Sequence, residues 1–264
     1  MRLEKRFGLQ GRTALVTGAT GYLGREIVSA LSDAGAHVVL NSRTKKDLEV
    51  LRKELKSAGR LVSVEAFDVA DKKKAAQAVQ RTGNRFGIDI LVNNAYDPAE
   101  YGEKSLEKAK APDFSRAYDV TVISAFNLIQ AALPFLERAG MRHPSGASVI
   151  NIASMYGSVS PDPSVYAKGK NNPPYYGAAK AGLIQFTRYA ACHLAEKNIR
   201  FNCISPGAFP KKNDPLISKL SKRNPMGRTG RPEELAGAVV FLASEASSYI
   251  TGVNLPVDGG WTAW

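Results

Sequence analysis

The stretch TALVTGATGYLG, residues 13 to 24, decides how the rest of the chain is interpreted. It begins with a short apolar run of β-forming residues and continues with three glycines at intervals of three, Gly18, Gly21 and Gly24. The apolar residues that follow have helical spacing. Glycine allows a sharp turn and a close approach of the backbone to a ligand, and a helix N-terminus offers amide donors to phosphate. A glycine triplet between a strand and a helix therefore predicts a pyrophosphate-binding turn.

The rest of the chain repeats this alternation of apolar runs and amphipathic segments. Strands are predicted at 12–18, 37–42, 61–69, 89–95, 147–154, 199–207 and 254–260. Helices are predicted after the glycine turn and at 47–59, 73–87, 113–138, 176–196 and 232–244. Near-continuous apolar strands are typical of a parallel sheet that is covered on both faces. The predicted fold class is α/β, a doubly wound Rossmann-like parallel sheet of about seven strands with helices on both faces.

The length of 264 residues fits one large α/β domain, and no internal repeat or linker rich in serine and glycine divides the chain. We therefore expect residues 1–264 to form a single domain. The irregular stretches 96–112 and 155–175 both follow predicted strands. We expect both at the carboxyl edge of the sheet, where folds of this class bind their ligands.

The composition is that of a soluble globular protein, with 44% apolar and 23% charged residues. No apolar run approaches the roughly 20 residues that span a bilayer, and the start MRLEKRFGLQGR is too polar for a signal peptide. The two cysteines, Cys192 and Cys203, belong to no CxxC motif, and the three histidines are scattered. We expect reduced thiols, no metal site, no membrane partner and a cytoplasmic location.

The net charge of +12 favours anionic ligands: a phosphorylated cofactor, an acidic substrate or a nucleic acid. A solvated basic surface explains the same charge without any partner. No zinc-finger spacing or RNA-binding aromatic motif accompanies the charge, so no nucleic-acid partner is predicted.

The end of the second predicted strand indicates which dinucleotide the turn would hold. Folds that prefer NAD place an acidic residue there for the ribose hydroxyls, whereas an arginine accommodates the 2′-phosphate of NADP. Here the strand ends LNSRTKK, with Asn41 and Ser42 followed by Arg43. A 2′-phosphate would meet a cation and no carboxylate, which favours NADP over NAD. A surface role for Arg43 without a ligand is the alternative.

Taken together, the motifs resemble the single-domain short-chain dehydrogenase/reductases over nearly the whole chain. The resemblance rests on the order and spacing of the glycine turn, Asp68–Val69, Asn93–Ala95, Ser154 after a strand, a Tyr-x-x-x-Lys, Pro206–Gly207 and the ending ITGVNLPVDGG. It implies an enzyme that passes a hydride between nicotinamide and a carbonyl or secondary alcohol. In that family a tyrosine exchanges a proton with the substrate oxygen, a lysine lowers the pKa of its phenol, and a serine binds the same oxygen.

Two Tyr-x-x-x-Lys pairs compete for that role, Tyr166–Lys170 and Tyr176–Lys180. The first lies 12 residues after Ser154, close to the usual gap of the family. However, it contains a glycine and is followed by NNPP, and two prolines prevent the helix that would align tyrosine and lysine. The second pair opens a long helix-compatible run. We therefore assign Tyr176 and Lys180 and predict that 157–174 is a lid-like insertion over the site.

The resemblance implies a full set of site residues. The expected catalytic residues are Ser154, Tyr176, Lys180 and Thr121, the last standing where the family commonly has an asparagine that supports a water-linked proton path. The expected cofactor-binding residues are Gly18, Thr20, Gly21, Tyr22, Leu23, Ser42, Arg43, Asp68, Val69, Asn94, Ala95, Tyr176, Lys180, Pro206, Gly207 and Phe209. Tyr96 replaces the glycine of the family's NNAG motif, so its ring is expected to pack on the cofactor or to narrow the pocket. The family also implies a homotetramer or dimer.

The insertion is polar, aromatic and basic, which suits a hydroxyl-rich or anionic small molecule. The residues concerned are Tyr156, Tyr166, Lys168, Lys170, Asn171 and Asn172. The local sequence resembles the subgroup that acts on sugar acids and surface sugars, so a sugar-like substrate is expected. Two alternatives stay open: a 3-oxoacyl-carrier-protein reductase, and a non-catalytic NADP-binding sensor or scaffold.

Overall fold

The computed structural model describes residues 3–97, 105–167 and 171–264. At its centre lies a seven-stranded sheet with the order β3-β2-β1-β4-β5-β6-β7, in which neighbouring strands are parallel. The strands are β1 (Thr13–Val16), β2 (His37–Ser42), β3 (Val62–Ala66), β4 (Ile90–Asn93), β5 (Ala147–Ile152), β6 (Ile199–Pro206) and β7 (Asn254–Val257). The order reverses direction between β1 and β4, so the doubly wound parallel sheet of the prediction is confirmed.

Helices cover both faces of the sheet, as the sequence pattern predicted. They are α1 (Leu3–Phe7), α2 (Tyr22–Asp33), α3 (Lys45–Ser57), α4 (Lys72–Phe86), α5 (Ala111–Tyr118), α6 (Ser124–Arg142), α7 (Pro174–His193), α8 (Ile217–Arg223) and α9 (Ala236–Ala243). Neighbouring strand residues point to opposite faces. Val16 packs with Ile27 of α2 in one buried cluster, whereas Leu15 packs with Val79 of α4 and Leu128 of α6 in the other.

The predicted helix 113–138 is longer and less regular than expected. It consists of α5, a π-helical turn at Asp119–Ile123, and α6, which continues past Pro134 to Arg142. Pro134 is exposed, so its ring and its missing N–H group face solvent and interrupt the helix at little cost. A π-helical turn inside an α-helix is often found at a functional site.

The helical stretch Ala111–Arg142 is, by length and composition, apolar enough to cross a membrane. Its α6 part buries Leu128, Phe135 and Leu136 against the sheet and α4. The α6 part is therefore a core helix of the fold.

Two short helices, α1 and α8, were not predicted. No residue of α1 is buried, and α8 buries only Leu220. Segments of this length carry too little apolar periodicity to be distinguished from loops.

The start of α7 agrees with the interpretation of the prolines. Pro173 has extended backbone angles and caps the helix, and Pro174 occupies its first turn, where a missing N–H group costs nothing. Tyr166 follows a 3-10 turn at Pro163–Val165 and has an extended conformation with φ −88° and ψ 162°. No helix begins at Tyr166, while Lys168 and Lys170 lie outside the described residues.

Candidate active site

The glycine turn connects β1 to α2 and is packed tightly against the strand beside it. Gly18 has φ +64°, and a Cβ atom there would come within 2.9 Å of the Cα atom of Ala95. At Gly24 a Cβ atom would lie 2.1 Å from the Gly18 carbonyl oxygen. Both positions therefore require glycine, one for its backbone angle and the other for helix–turn contact. Gly21 is the N-cap of α2 and lines the open side of the turn.

Hydrogen bonds hold the turn to the ends of β2 and β4. The Asn94 side chain donates from Nδ2 to the carbonyl oxygens of Thr17 at 3.0 Å and Gly18 at 3.2 Å. The Thr17 hydroxyl accepts the backbone N–H groups of Asn94 and Ala95. The N–H group of Ala19 donates to the Asn41 carbonyl oxygen at 2.8 Å. Asn94 thus shapes the turn, and its contact with the cofactor stays a prediction.

A cleft of about 800 Å³ opens beside this turn at the carboxyl edge of the sheet. Its volume lies within the range of sites for cofactors and other small molecules. Eight of the predicted cofactor-binding residues line it together: Gly18, Thr20, Gly21, Ser42, Arg43, Asp68, Val69 and Ala95. The cleft therefore brings together segments that are far apart in the sequence but were predicted to share one ligand.

The opposite wall of the cleft was largely missed by the sequence analysis. Besides Tyr96, which stands in place of the glycine of the NNAG motif, this wall includes Asp97, Ala111, Pro112, Ser115, Arg116, Asp119 and Val120. Arg116 donates from Nε to the Asp97 carboxylate at 2.9 Å. No short motif marks this wall. The only sequence signal is that the irregular stretch 96–112 follows a strand that ends at the carboxyl edge.

Arg43 is exposed on the cleft wall directly after β2. It forms no ion pair with any residue that the structure describes. The neighbouring wall positions Asn41 and Ser42 carry no charge. The end of β2 therefore presents one positive charge to the cleft.

Five other predicted cofactor-binding residues lie off the wall of this cleft. The Tyr22 hydroxyl donates to the Pro210 carbonyl oxygen at 3.1 Å, which joins the glycine turn to the loop after β6. Leu23 packs on the buried core. Pro206 ends β6, and a Cβ atom at Gly207 would lie 2.6 Å from the Cα atom of Asp258. Phe209 lines a separate cleft of about 630 Å³.

Three of the four expected catalytic side chains lie just after β5 and at the start of α7. Ser154 follows β5, and Tyr176 and Lys180 lie one helical turn apart on α7; each is 5–6% exposed. The Lys180 ammonium donates to the Ile152 carbonyl oxygen at 2.9 Å and lies 5.8 Å from the centre of the Tyr176 ring. The Ser154 Oγ atom accepts the N–H group of Tyr156 at 3.2 Å.

Thr121 lies in the π-helical turn and lines a small cavity beside Lys180. The cavity measures about 10 Å³, which is the smallest volume that holds one water molecule. Thr121 Oγ1 and Asn93 Oδ1 are buried, and neither has a hydrogen-bond partner among the described residues. Ala95 lines both this cavity and the large cleft, so the two are neighbours.

Within the residues that the structure describes, no group of three or more His, Cys, Asp or Glu side chains could hold a metal ion.

Comparison with known proteins places these features in a family. A family model described as enoyl-(acyl carrier protein) reductase matches residues 18–262. The rhamnolipids biosynthesis 3-oxoacyl-[acyl-carrier-protein] reductase of Pseudomonas aeruginosa is 35% identical, over 97% of this chain and 98% of that protein. A tropinone reductase homolog of Arabidopsis thaliana is 32% identical, over 99% and 96% of the two chains.

A solved structure shows the same fold. The gluconate 5-dehydrogenase of Burkholderia cenocepacia, in complex with NADP and tartrate, superposes with a TM-score of 0.89 at 30% identity, and all of each chain is covered. The sequence motifs, the sheet order and these matches agree. The chain belongs to the short-chain dehydrogenase/reductase family of oxidoreductases.

Proposed function

We propose that the protein is an NADP(H)-dependent oxidoreductase that interconverts a carbonyl group and a secondary alcohol on a sugar-like or polar anionic substrate. One observation carries the proposal: a cofactor-sized cleft at the glycine turn neighbours the small cavity lined by Lys180, which stands one helical turn from Tyr176 and binds the carbonyl oxygen of Ile152, two residues before Ser154. A non-catalytic NADP-binding sensor or scaffold is the alternative, and the presence of Ser154, Tyr176 and Lys180 in the sequence supports the enzyme over it.

The residues of the cleft fit the proposed cofactor. Gly21 and Thr20 border the N-terminus of α2, which attracts pyrophosphate. Arg43 offers a cation for a 2′-phosphate at a strand end without an acidic residue. Asp68 and Val69 would hold the adenine end. The solved gluconate 5-dehydrogenase contains NADP, which supports this choice over NAD. Bound NADP(H) would supply a hydride to the substrate carbon or accept one from it.

The side chains of Tyr176 and Lys180 on α7, and of Ser154 after β5, would move the proton. Tyr176 would donate its phenolic proton to the carbonyl oxygen in reduction and take it back in oxidation. An ammonium group nearby favours the ionised phenol, and Lys180 is fixed in place by the Ile152 carbonyl oxygen. The Ser154 oxygen already accepts the N–H group of Tyr156, so its own proton is directed elsewhere and can bind the substrate oxygen.

Thr121 would supply the proton path that the family builds with asparagine. One water in the cavity beside Lys180 would reach two buried acceptors, Thr121 Oγ1 and Asn93 Oδ1, that have no partner among the described residues. Such a water satisfies polar groups whose burial otherwise costs free energy. It would also connect the lysine to the π-helical turn.

Two substrate classes have support. The gluconate 5-dehydrogenase structure contains tartrate, a hydroxylated acid, and the basic, tyrosine-containing insertion suits such a molecule. The second candidate is a 3-oxoacyl-carrier-protein reductase, which the 35% identical Pseudomonas relative favours. In that case the net charge of +12 would attract an acidic carrier protein.

A direct assay separates these proposals. The purified protein is mixed with NADPH or NADH and with a panel of keto sugar acids or a short 3-oxoacyl thioester, and cofactor oxidation is followed by absorbance. We expect turnover with NADPH and keto sugar acids. Turnover with the thioester alone would favour the second candidate, and tight NADPH binding without any turnover would identify a sensor.

We further propose that residues 1–264 act as one domain in the cytoplasm and assemble as a homotetramer or dimer. Exposed apolar side chains on α5 to α7 and the π-helical turn support assembly, among them Tyr118, Ile123, Phe126 and Tyr189. Light scattering on the purified protein measures the assembly directly. A monomer at micromolar concentration would contradict this part of the proposal.

A further inference from the structure

The tyrosine that the sequence analysis set aside has a specific partner. The Tyr166 hydroxyl lies 2.8 Å from the Tyr156 hydroxyl, and both side chains are partly buried. Burial is the main cause that raises the pKa of each phenol above its usual value. Both phenols are therefore neutral near pH 7, and one of them donates its proton to the other.

The Tyr156 end of this phenol pair is fixed to the proposed catalytic residues. Its N–H group donates to Ser154 Oγ at 3.2 Å. On the other side, its carbonyl oxygen lies against α7, where a Cβ atom added at Gly177 would approach to 2.7 Å. Residue 156 is thus held between Ser154 and the residue that follows Tyr176, and electrostatic interaction with Tyr176 contributes to the raised pKa of Tyr156.

The Tyr166 end is fixed from a different direction. Val165 is buried in a cluster with Leu220 of α8 and Trp261. Asp162, which caps the 3-10 turn before Tyr166, accepts a hydrogen bond from Arg223 Nε at 3.2 Å. The Arg223 guanidinium in turn lies 5.1 Å from the centre of the Trp261 ring. The C-terminal segment and α8 therefore hold the described part of the insertion in place.

The phenol pair also borders the loop after β6. Tyr156, Tyr166 and Ala208 pack against the same buried cluster, and Ala208 directly follows the predicted cofactor-binding residue Gly207. The pair accordingly has Ser154 on one side and the loop of Gly207 and Ala208 on another. A substrate whose oxygen binds Ser154 would extend towards this region.

We propose that the Tyr156–Tyr166 phenol pair is a substrate-binding element that recognises a hydroxyl group remote from the reacting carbon. In a phenol–phenol hydrogen bond the accepting hydroxyl keeps its own proton, and the donating oxygen keeps its lone pairs. The pair therefore offers one donor and one acceptor a hydrogen-bond length apart. A sugar hydroxyl, which both donates and accepts, complements this arrangement. The proposal rests on the proposed function and names a determinant of its substrate class.

Conservative variants test the phenol pair. Tyr156→Phe, Tyr166→Phe and the double variant remove one or both hydroxyls, and Tyr249→Phe, at a fully exposed tyrosine, is the matched control. Each is assayed with NADPH and the best polyhydroxy keto acid, and with cyclohexanone, which has no remote hydroxyl. For the keto acid we expect kcat/KM to fall about 5- to 10-fold through KM, because one neutral hydrogen bond contributes up to about 1.5 kcal/mol. Values for cyclohexanone and the Kd of NADPH should not change.

The double variant sharpens the test, because two hydroxyls that act as one element should be lost together at no more cost than either alone. An equal loss of kcat/KM with both substrates, accompanied by a lower Tm, would overturn the proposal and show that the pair only stabilises the fold. Absence of turnover in the wild type would refute the proposed function alone. Calorimetry would then measure how tightly the same keto acid binds to NADP-loaded protein. Weaker binding by Tyr166→Phe than by the wild type supports the role of the phenol pair in substrate binding, and equal binding refutes that role.

Discussion

Two sets of buried polar groups at opposite edges of the sheet differ in how they are paired. At the amino edge, two buried arginines, Arg12 and Arg200, are surrounded by hydrogen-bond acceptors. At the carboxyl edge, Thr121 and Asn93 each keep a buried oxygen without a partner among the described residues. A buried polar group is costly unless it is paired, so the first edge is built for stability. Single hydroxyls without a partner also occur at Ser32 of α2 and Thr82 of α4, but Thr121 and Asn93 line one cavity together, which marks a place where a water molecule can be held.

The amino edge shows how complete such pairing can be. Arg200 donates to the Ser145 carbonyl oxygen at 3.0 Å, to the Ser247 hydroxyl at 2.9 Å and to the Ser244 carbonyl oxygen at 3.2 Å. Burial, and secondarily the charge of Arg12, lowers the pKa of Arg200 to about 10. The guanidinium stays charged at neutral pH and joins the starts of β5 and β6 to the segment after α9.

The largest effect is expected from Tyr176→Phe at the carboxyl edge. Loss of the phenolic proton should lower kcat by about 10²- to 10⁴-fold, the usual contribution of a positioned acid or base. The Kd of NADPH and the Tm should stay close to the wild type, because the ring is retained. Steady-state kinetics and cofactor titration measure both. Tyr175→Phe, one residue away but off the face of Lys180, is the control and should keep most of the rate. A Tyr176→Phe enzyme with an unchanged rate would refute the assignment.

At the amino edge, the largest effect is expected from Arg200→Met. This variant should lower the stability of the fold and leave catalysis unchanged. The variant fills similar space but leaves the acceptors on Ser145, Ser244 and Ser247 without their donor. We expect a loss of about 2–4 kcal/mol in the free energy of unfolding, measured by urea titration. The folded variant should keep the kcat of the wild type. Arg188→Met, on the exposed side of α7, should change neither quantity. If Arg200→Met lowered kcat with unchanged stability, the division between the two edges would be wrong.

The contrast also explains which features the sequence could predict. The fold followed from local patterns: apolar runs marked β1 to β7, glycine marked the turn at Gly18, and Pro173 and Pro174 marked the start of α7. These signals lie within a few residues of the element that they specify. The choice of Tyr176 over Tyr166 used the same kind of signal, since proline and glycine act on the local backbone. The start of α7 at Pro174 agrees with that reasoning, and the catalytic role of Tyr176 stays a prediction.

Features that depend on contacts between distant segments could not be predicted. The wall formed by Asp97 and Arg116 arises because α5 packs across from the glycine turn. The π-helical turn that holds Thr121 has no sequence signature in a run that otherwise suits an α-helix. The hydrogen bond between Tyr156 and Tyr166 likewise depends on how the chain between them folds back.

A mutation at the cleft tests whether the carboxyl edge selects its cofactor by charge. Arg43→Gln removes the cation at the end of β2 and leaves the uncharged Asn41 and Ser42 in place. We expect kcat/KM with NADPH to fall about 10- to 100-fold, because a hydrogen bond to a charged group contributes about 1.5–3 kcal/mol. The value with NADH should stay within about twofold, and the Arg188→Gln control should change neither. An equal loss with both cofactors would show that Arg43 acts on the shared part of the dinucleotide.

Thr121→Val tests the unpaired oxygen itself. Valine keeps the shape of threonine and removes only the hydroxyl at the small cavity beside Lys180. If a water there connects Thr121 to the lysine, kcat should fall about 2- to 10-fold, the effect of one hydrogen bond. Thr121→Ser should restore most of the rate. The free energy of unfolding should not fall, because a buried hydroxyl without a protein partner contributes little stability. A loss of stability without a loss of rate would place Thr121 with the structural residues of the amino edge.

The smallest effect is a pH dependence of stability at the amino edge. His37 lies at the start of β2, 3.0 Å from the Ser63 hydroxyl and edge-on to Phe86. Burial, followed by the charge of Arg85, lowers the pKa of His37 in the folded chain. In the unfolded chain the histidine pKa is about 6.5, so the unfolded chain binds more protons than the folded chain as the pH falls below that value. The free energy of unfolding therefore decreases below about pH 6.5.

His37→Gln should weaken this decrease between pH 7.5 and pH 5.5, measured by urea titration at each pH. Burial also lowers the pKa of His143, which will retain part of the dependence. His193→Gln, on an exposed side chain, is the control. If the control flattens the curve as much as His37→Gln does, burial at the start of β2 is not the cause.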